Sequence, residues 1–305
     1  MSNAAWSALP ERGSLWGIRT VLFTLNLLGY RVASLMLIPI AAYFFATGGK
    51  SRKASLNFLG RLHCHHPATP PPTFWQAYLH HLEFARILLD RMLIWQGRTA
   101  RFHFVTQGKE LLQQKGRSGA LLVGAHMGSF DALRSLAMGL ENRVHVIMFR
   151  AHAQRINRVM QELNPATNLR VIELEPGDLN GVLELKDCLD RGEHVALLAD
   201  RHAPGPKERV VWASFLGEPA AFPQSPWILA SLLECPVHLT MAFRTGPRAY
   251  RILVEPLTER VILPRRQRED CILPHATAFA RRLEELCCQY PRQWFNYYDF
   301  WNPHG

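Results

Sequence analysis

The chain has 305 residues, 48% of them hydrophobic and 20% charged, a composition that excludes both an extended disordered polypeptide and a polytopic membrane protein and allows one large or two small domains with a sizeable core. Its formal charge of +10 and isoelectric point near 9.6 point to an anionic partner, whether nucleic acid, an acidic membrane surface or an acidic carrier protein. The six cysteines, at positions 64, 188, 235, 271, 287 and 288, form no C-x-x-C pair and no regular spacing, so neither a zinc site nor a disulfide framework is indicated and a reducing compartment is expected.

The stretch Leu15 to Gly49 is apolar apart from Arg19, Arg31 and a few small polar residues, and it carries Trp16, Phe23, Tyr30, Tyr43 and Phe44. It reads as membrane-interacting helix. After Arg31, Val32 to Gly49 is an uncharged run of 18 residues, just under the roughly 20 needed to cross the hydrocarbon core, and Pro39 divides it. Spanning the bilayer and lying in its interface are both compatible with this length. A buried helical hairpin of a soluble enzyme is the competing reading. A cleaved signal peptide fits poorly, because the apolar stretch is long, starts late and is interrupted by arginines.

Lys50, Arg52, Lys53 and Arg61 follow at once and are expected against anionic headgroups, which places the body of the protein on the cytoplasmic side of the cell inner membrane. The expected organisation is an N-terminal membrane-associated helical segment over residues 1–62 and a second domain over residues 63–305. His63, Cys64, His65 and His66 have no second ligand group at a recognisable spacing, so they read as a solvated or headgroup-facing turn and not as a metal site.

Pro67 to Pro72 predicts a loop and Phe74 to Ile94 a helix with apolar residues near 3.6-residue spacing. From Phe102 onward the pattern changes. Strand-length apolar runs at Ala120–Ala125, Val144–Phe149, Leu169–Ile172, Val195–Ala199, Val237–Phe243 and Tyr250–Val254 alternate with helical patterns at Phe130–Gly139, Arg155–Leu163, Asn180–Arg191 and Ser225–Leu233. A last helix is expected over about Ala276 to Tyr290, followed by the aromatic tail Trp294-Phe-Asn-Tyr-Tyr-Asp-Phe-Trp301. The expected fold class is α/β, with a mixed, largely parallel sheet flanked by helices and an N-terminal membrane-associated helical region.

The segment Gly124-Ala-His-Met-Gly-Ser-Phe-Asp131 reads as a strand end, a glycine-bearing turn and a helix start. It places His126 at the carboxyl edge of the sheet, where open α/β sheets bind ligands. Ser129 is positioned to cap the helix. Asp131, in the first helical turn, is expected to reach back to one imidazole nitrogen, fixing the tautomer and leaving the other nitrogen as a base. Such a pair suits acyl transfer from a thioester to an alcohol, with backbone amides from Gly124 to Ser129 as donors to the developing oxyanion, and it requires no metal or bound cofactor. The spacing alone is weak, since a His followed five positions later by an acid is expected about once by chance in such a chain. The flanking glycines, strand and helix carry the reading.

Several blocks in order then resemble the lysophospholipid acyltransferase superfamily, within it the bacterial late acyltransferases of lipid A synthesis. They are the N-terminal apolar helix with trailing basic residues, the His126-x4-Asp131 block, the strand ending in Phe149-Arg150, Ala199-Asp200-Arg201-His202, and Phe215-Leu-Gly-Glu-Pro-Ala-Ala-Phe-Pro223 leading into a helix and Cys235-Pro-Val237. The resemblance covers roughly Trp16 to Trp301. It implies that His126 is the base and Asp131 its partner, that Arg150 contacts an anionic group of a substrate, and that Asp200 and Arg201 line the acceptor site, while Gly124, Gly128 and Ser129 are expected from the turn itself to line the substrate. Phe215 to Pro223 resembles a loop shaping the acyl and acceptor pocket. The aromatic tail is closer to the acyltransferases found with aryl polyene pigment or other lipid-modifying pathways.

The expected donor is acyl carrier protein or acyl-CoA and the expected acceptor a lipid or glycolipid hydroxyl on an anionic membrane surface. A lipid or thioester hydrolase using the same site is the alternative enzyme, although no Gly-x-Ser-x-Gly elbow is present. A basic membrane-binding protein without catalysis is the non-enzymatic alternative. Nucleic acid is not an expected partner, because the basic residues are dispersed and form no recognisable reading element.

Overall fold

A computed structural model describes residues 15–113, 118–133, 143–148, 169–173, 178–202, 209–264 and 266–302. Four helices open the chain: α1 (Leu15–Leu27), α2 (Gly29–Thr47), α3 (Gly49–His65) and α4 (Phe74–Trp95). Gly29 breaks the first from the second with φ +83°, a backbone angle that L side chains rarely adopt. Pro39 does not divide α2; it sits inside one continuous 19-residue helix. Thr73 starts α4 by accepting a hydrogen bond from the Gln76 amide at 3.2 Å, a side-chain cap of the expected kind.

The strands are β1 (His103–Gln107), β2 (Leu121–Gly124), β3 (Val144–Met148), β4 (Leu169–Glu173), β5 (His194–Leu198), β6 (Val210–Phe215), β7 (Glu218–Pro223), β8 (Val237–Gly246) and β9 (Ala249–Thr258). The later helices are α5 (Leu179–Asp190), α6 (Ser225–Leu233) and α7 (Arg268–Gln289). Seven strands form one sheet in the order β1-β9-β8-β2-β5-β3-β4, in which the β8–β9 hairpin is the antiparallel element and the other pairs are parallel. The fold is therefore the mixed, largely parallel α/β sheet that the alternation predicts.

Side chains of β2 alternate between faces, as strand geometry requires. Leu121 and Val123 enter a core shared with Phe58, Leu59 and Leu62 of α3 and with α7, whereas Ala120 and Leu122 face a second cluster with Tyr250 and Ile252. Both faces of the central strand are thus buried.

Three sequence expectations are corrected here. Phe215 to Pro223 is not a loop but part of a two-stranded antiparallel hairpin, β6 with β7. Its turn residues, Leu216 and Gly217, have φ of 52° and 81°, the positive angles a tight two-residue hairpin demands. Helix α7 begins at Arg268, two turns before the expected Ala276, and carries Pro274 within it. Strand β1 was not foreseen, because its burial alternates weakly at the sheet edge. The expected helix at Phe130 is observed over residues 130–133, while its remainder and the one at Arg155–Leu163 lie outside the described residues.

The buried residues of α2 are Ala33, Leu37 and Ala41, spaced four apart so that they share a face. That stripe packs on Leu82, Leu89 and Leu93 of α4. The other faces of α1 and α2 expose Phe23, Leu27, Leu28, Leu35, Ile38 and Tyr43, and Phe74 and Trp75 at the start of α4 extend the same kind of surface. An apolar patch of this extent marks contact with a membrane or partner. Among the described residues α2 is the one helix long and apolar enough to cross a bilayer.

Of the basic residues that follow, Lys50 and Lys53 are exposed. Arg52 instead folds back and donates to the carbonyls of Phe45 and Ala46 at 2.9 Å each, satisfying the end of α2. Arg61 lies over the Trp301 ring and near Glu218.

Replacing Leu35 and Ile38 by Glu should lower co-sedimentation with anionic phospholipid vesicles about tenfold or more, since each removes apolar surface and adds a charge, and should leave the folded α/β body intact by circular dichroism. Unchanged vesicle binding would rule out this face as the attachment surface.

Candidate active site

The parallel register of the two central strands builds the site. Gly124 at the end of β2 stands beside Leu198 at the end of β5, and the Ala199 amide continues the ladder by donating to the Gly124 carbonyl at 2.9 Å. Two residues past each strand end, His126 and Asp200 therefore stand side by side. The His126 Nδ1–H donates to Asp200 Oδ1 at 2.7 Å, and the His126 amide donates to Asp200 Oδ2 at 3.0 Å.

Asp200 is fully buried, and its Oδ2 accepts two further bonds, from Trp294 Nε1 at 3.2 Å and Asn296 Nδ2 at 3.1 Å. Burial by itself raises the carboxyl pKa. The opposing charge and hydrogen bonds of His126, together with the charge of Arg201, outweigh it and hold Asp200 at about 2. An ionised carboxylate can only accept, so Nδ1 of His126 carries the ring proton. Burial lowers the imidazole pKa, while Asp200 pulls it back upward, and the ring is neutral near pH 7. Its side chain remains 29% exposed, and Nε2 has no hydrogen-bond partner among the described residues, which leaves it as an accessible base.

The expected contact between His126 and Asp131 is not made. The Asp131 carboxylate receives Arg91 Nε at 2.5 Å on one oxygen and Trp95 Nε1 at 2.6 Å on the other, both from α4, and these two strong donors turn it toward that helix. A chain-local spacing of five proved a poorer guide than strand register, which brings in a residue 74 positions away.

The other predicted residues divide in the same way. Gly128 has φ +66°, and a Cβ there would lie 2.1 Å from the Ala242 carbonyl oxygen, so glycine is needed for the turn to pass against β8. Gly124 is wedged between Thr240 and Leu198. Ser129 is buried, and its hydroxyl accepts from the Ala132 amide at 3.2 Å, capping the helix. Arg201 donates to the Phe295 carbonyl at 2.8 Å and to Asn296 Oδ1, beneath the Tyr298 ring. Arg150 lies outside the described residues.

The backbone amides expected to face an oxyanion are already committed. His126 N bonds Asp200, Met127 N the Ala125 carbonyl, Gly128 N the Gln293 carbonyl, and Ser129 N the Ala242 carbonyl. These four bonds hold the turn, and the four amides they use are not available to an oxyanion.

The aromatic tail is the part of the site that sequence reasoning missed. It packs against the sheet: Met127 pairs with Trp294, and the Phe295 amide donates to the His126 carbonyl at 2.7 Å. Trp294 is buried against Phe58 and Phe215. His80 Nε2 donates to the Trp294 carbonyl and its Nδ1 accepts from Ser55, both at 2.9 Å, while burial pushes the His80 pKa down to about 3. A neutral buried imidazole thus pins the tail. The Trp and Asn in Trp294-Phe-Asn296, alternating across one strand-like segment, were the available signal.

The family described as bacterial lipid A biosynthesis acyltransferase matches residues 4–301. No curated protein matches the chain. Among solved structures, the crystal structure of the 1-acyl-sn-glycerophosphate (LPA) acyltransferase PlsC from Thermotoga maritima is similar at 12% identity and a TM-score of 0.37, covering 85% of this chain and 97% of that one. With a paired His and Asp at the carboxyl edge of the sheet and a family match over nearly its whole length, the chain belongs to the bacterial lipid A biosynthesis acyltransferase family and is an acyltransferase.

Proposed function

We propose that this enzyme moves a fatty acyl group from acyl carrier protein or acyl-CoA to a hydroxyl of a lipid or glycolipid, with His126 as general base and Asp200 as the acid that orients it. The observation that carries this reading is the 2.7 Å bond from His126 Nδ1 to a carboxylate held ionised at about 2, which leaves Nε2 free. The acceptor hydroxyl gives its proton to Nε2 as its oxygen attacks the thioester carbonyl. The tetrahedral intermediate then expels the thiolate, and the imidazolium returns the proton to sulfur, so the base is restored without a covalent enzyme intermediate. Asp200 stays ionised and stabilises the transient imidazolium.

Asp131 is a positioning group in this reading, fastening the helical turn after His126 to α4 through Arg91 and Trp95. Arg150, the arginine of the Phe149-Arg150 block in the sequence resemblance, is proposed to meet an anionic group of a substrate. The net charge of +10 favours an acidic carrier protein or the phosphates of CoA. The ordered motif blocks favour the late acyltransferases of lipid A synthesis as the branch, and the aromatic tail favours the aryl polyene type.

Residues 1–62 serve membrane attachment and residues 63–305 acyl transfer, on the cytoplasmic side of the inner membrane. Helix α2 lies against α4 from Tyr30, near Arg244, to Phe45, near His81. Since α4 carries Glu83, Arg86, Asp90 and Arg91, immersing the pair in hydrocarbon would be costly, which favours α2 lying in the interface over spanning.

His126→Ala should lower turnover by about a thousandfold or more when purified protein is given long-chain acyl carrier protein and inner-membrane lipid extract, with circular dichroism and vesicle binding unchanged. Retained turnover would exclude His126 as the base. Release of free fatty acid in place of acylated lipid would identify the hydrolase.

The rate should fall in acid as His126 protonates, below the ordinary imidazole value of about 6.5, because burial lowers its pKa. In Asp200→Asn the loss of the neighbouring negative charge should move this acid limb to lower pH while kcat drops steeply. Asp131→Asn should leave the limb where it is. A limb that moves only with Asp131 would reverse the assignment.

A further inference from the structure

We propose that His65, His66 and Glu284 form a binding site for a divalent transition-metal ion, zinc by its donor set, that ties the end of α3 to α7 and to the β6–β7 turn. The sequence lacks a third ligand near the histidine run, but the fold brings one in from 218 positions away. His65 Nε2 lies 2.9 Å and His66 Nε2 3.4 Å from the same oxygen, Glu284 Oε1, and the three ligand atoms lie within 4.8 Å of one another. Ligands about 2.0–2.1 Å from a tetrahedral ion stand roughly 3.4 Å apart. The observed separations of 2.9 and 3.4 Å lie at or just below that value, so an ion can enter with small outward side-chain shifts.

Two features favour an ion over a plain His–Glu contact. The imidazoles meet edge to face, with centroids 4.6 Å apart at 89°, and both turn Nε2 to one oxygen, an arrangement that a single hydrogen bond does not require. The other Glu284 oxygen is occupied, since Oε2 accepts the Leu216 amide at 2.5 Å, which fixes the carboxylate for one-oxygen ligation as outer-shell partners do in metal sites. Both imidazoles are more than a third exposed while Glu284 is mostly buried, so solvent reaches the remaining coordination position. Two imidazoles and a carboxylate suit zinc. Among the described residues the other compact group of potential ligands, His145, Cys188 and Glu193, is less suited, because the Arg191 guanidinium already binds both Glu193 oxygens and the Cys188 sulfur.

The ion's place in the fold assigns its task. Helix α3 follows α2 directly, and Leu216 and Gly217 turn the β6–β7 hairpin on which Trp301 rests through its bond to the Phe215 carbonyl. Neither His126 nor Asp200 is a ligand, so the ion clamps the membrane-proximal helix to the body and takes no part in acyl transfer.

The test uses full-length protein without a polyhistidine tag, purified in detergent, stripped with chelator and titrated with ZnCl2 by calorimetry, with bound zinc counted by elemental analysis. One zinc per chain at micromolar or tighter affinity is expected, with an unfolding temperature raised by about 3 °C or more. Glu284→Gln, which keeps an oxygen for the Leu216 amide, and His66→Ala at the exposed helix end should each weaken binding about tenfold or more and abolish the thermal shift. His63→Gln should change neither. Absence of stoichiometric zinc in the unsubstituted protein would overturn the proposal. So would affinity that is the same in Glu284→Gln and His66→Ala, which would place the ion among others of the 14 histidines.

Discussion

A fully buried carboxylate organises this protein. Taking an ion out of water costs several kcal/mol unless its oxygens are satisfied, and Asp200 is satisfied by four donors from two separate stretches of the active-site framework: the amide and Nδ1 of His126 in the turn after β2, and Trp294 and Asn296 in the tail. Losing any one leaves a buried acceptor short, at a cost of about 1–3 kcal/mol. The same bonds that make Asp200 tolerable inside the protein aim His126, so folding of the tail and assembly of the base are one event. His80 and Gln293 extend that dependence. The first holds the Trp294 carbonyl, and the second joins the Gly128 amide to the end of β8.

Helix α4 carries this order toward the membrane. Its apolar side receives the Ala33, Leu37 and Ala41 stripe of α2. Its polar side reaches the site from two directions, through Arg91 and Trp95 to Asp131, and through Asp90 and Glu83 to Arg244, whose backbone is bonded to Gln293. Asp90 is fully buried between Arg244 and the Tyr250 hydroxyl, a neutralised cluster that makes the attachment of α4 to β8 and β9 specific. Helix α4 therefore connects the exposed apolar surface of α1 and α2 to the turn that carries His126.

Much of the fold was legible in the sequence, for local reasons. Buried parallel strands such as β2, β3 and β5 appear as short apolar β-branched runs, and α4 and α6 carry clear helical patterns with Thr73 and Pro226 at their starts. His126 was legible as well, from its strand-turn-helix setting. Its partner was not. Spacing along the chain suggested Asp131, whereas the contact is set by the pairing of Gly124 with Leu198, a long-range register that single-sequence patterns do not encode. The β6–β7 hairpin was hidden because Leu216 takes a positive φ and three prolines surround the turn region and the helix after it. The tail's role was hidden because aromatic residues advertise burial without naming what they bury against, and the third ligand for His65 and His66 because Glu284 arrives from another helix.

The central claim is that Asp200 holds the His126 imidazole with its proton on Nδ1, leaving Nε2 as the base. The most direct measurement is nitrogen-15 NMR of histidine-labelled protein in detergent near pH 7, with His126 assigned through His126→Gln. The account predicts a neutral ring protonated on Nδ1, with a strongly downfield proton that disappears in Asp200→Asn and persists in Asp131→Asn. A ring protonated on Nε2, or a downfield proton lost with Asp131 and kept without Asp200, would contradict it.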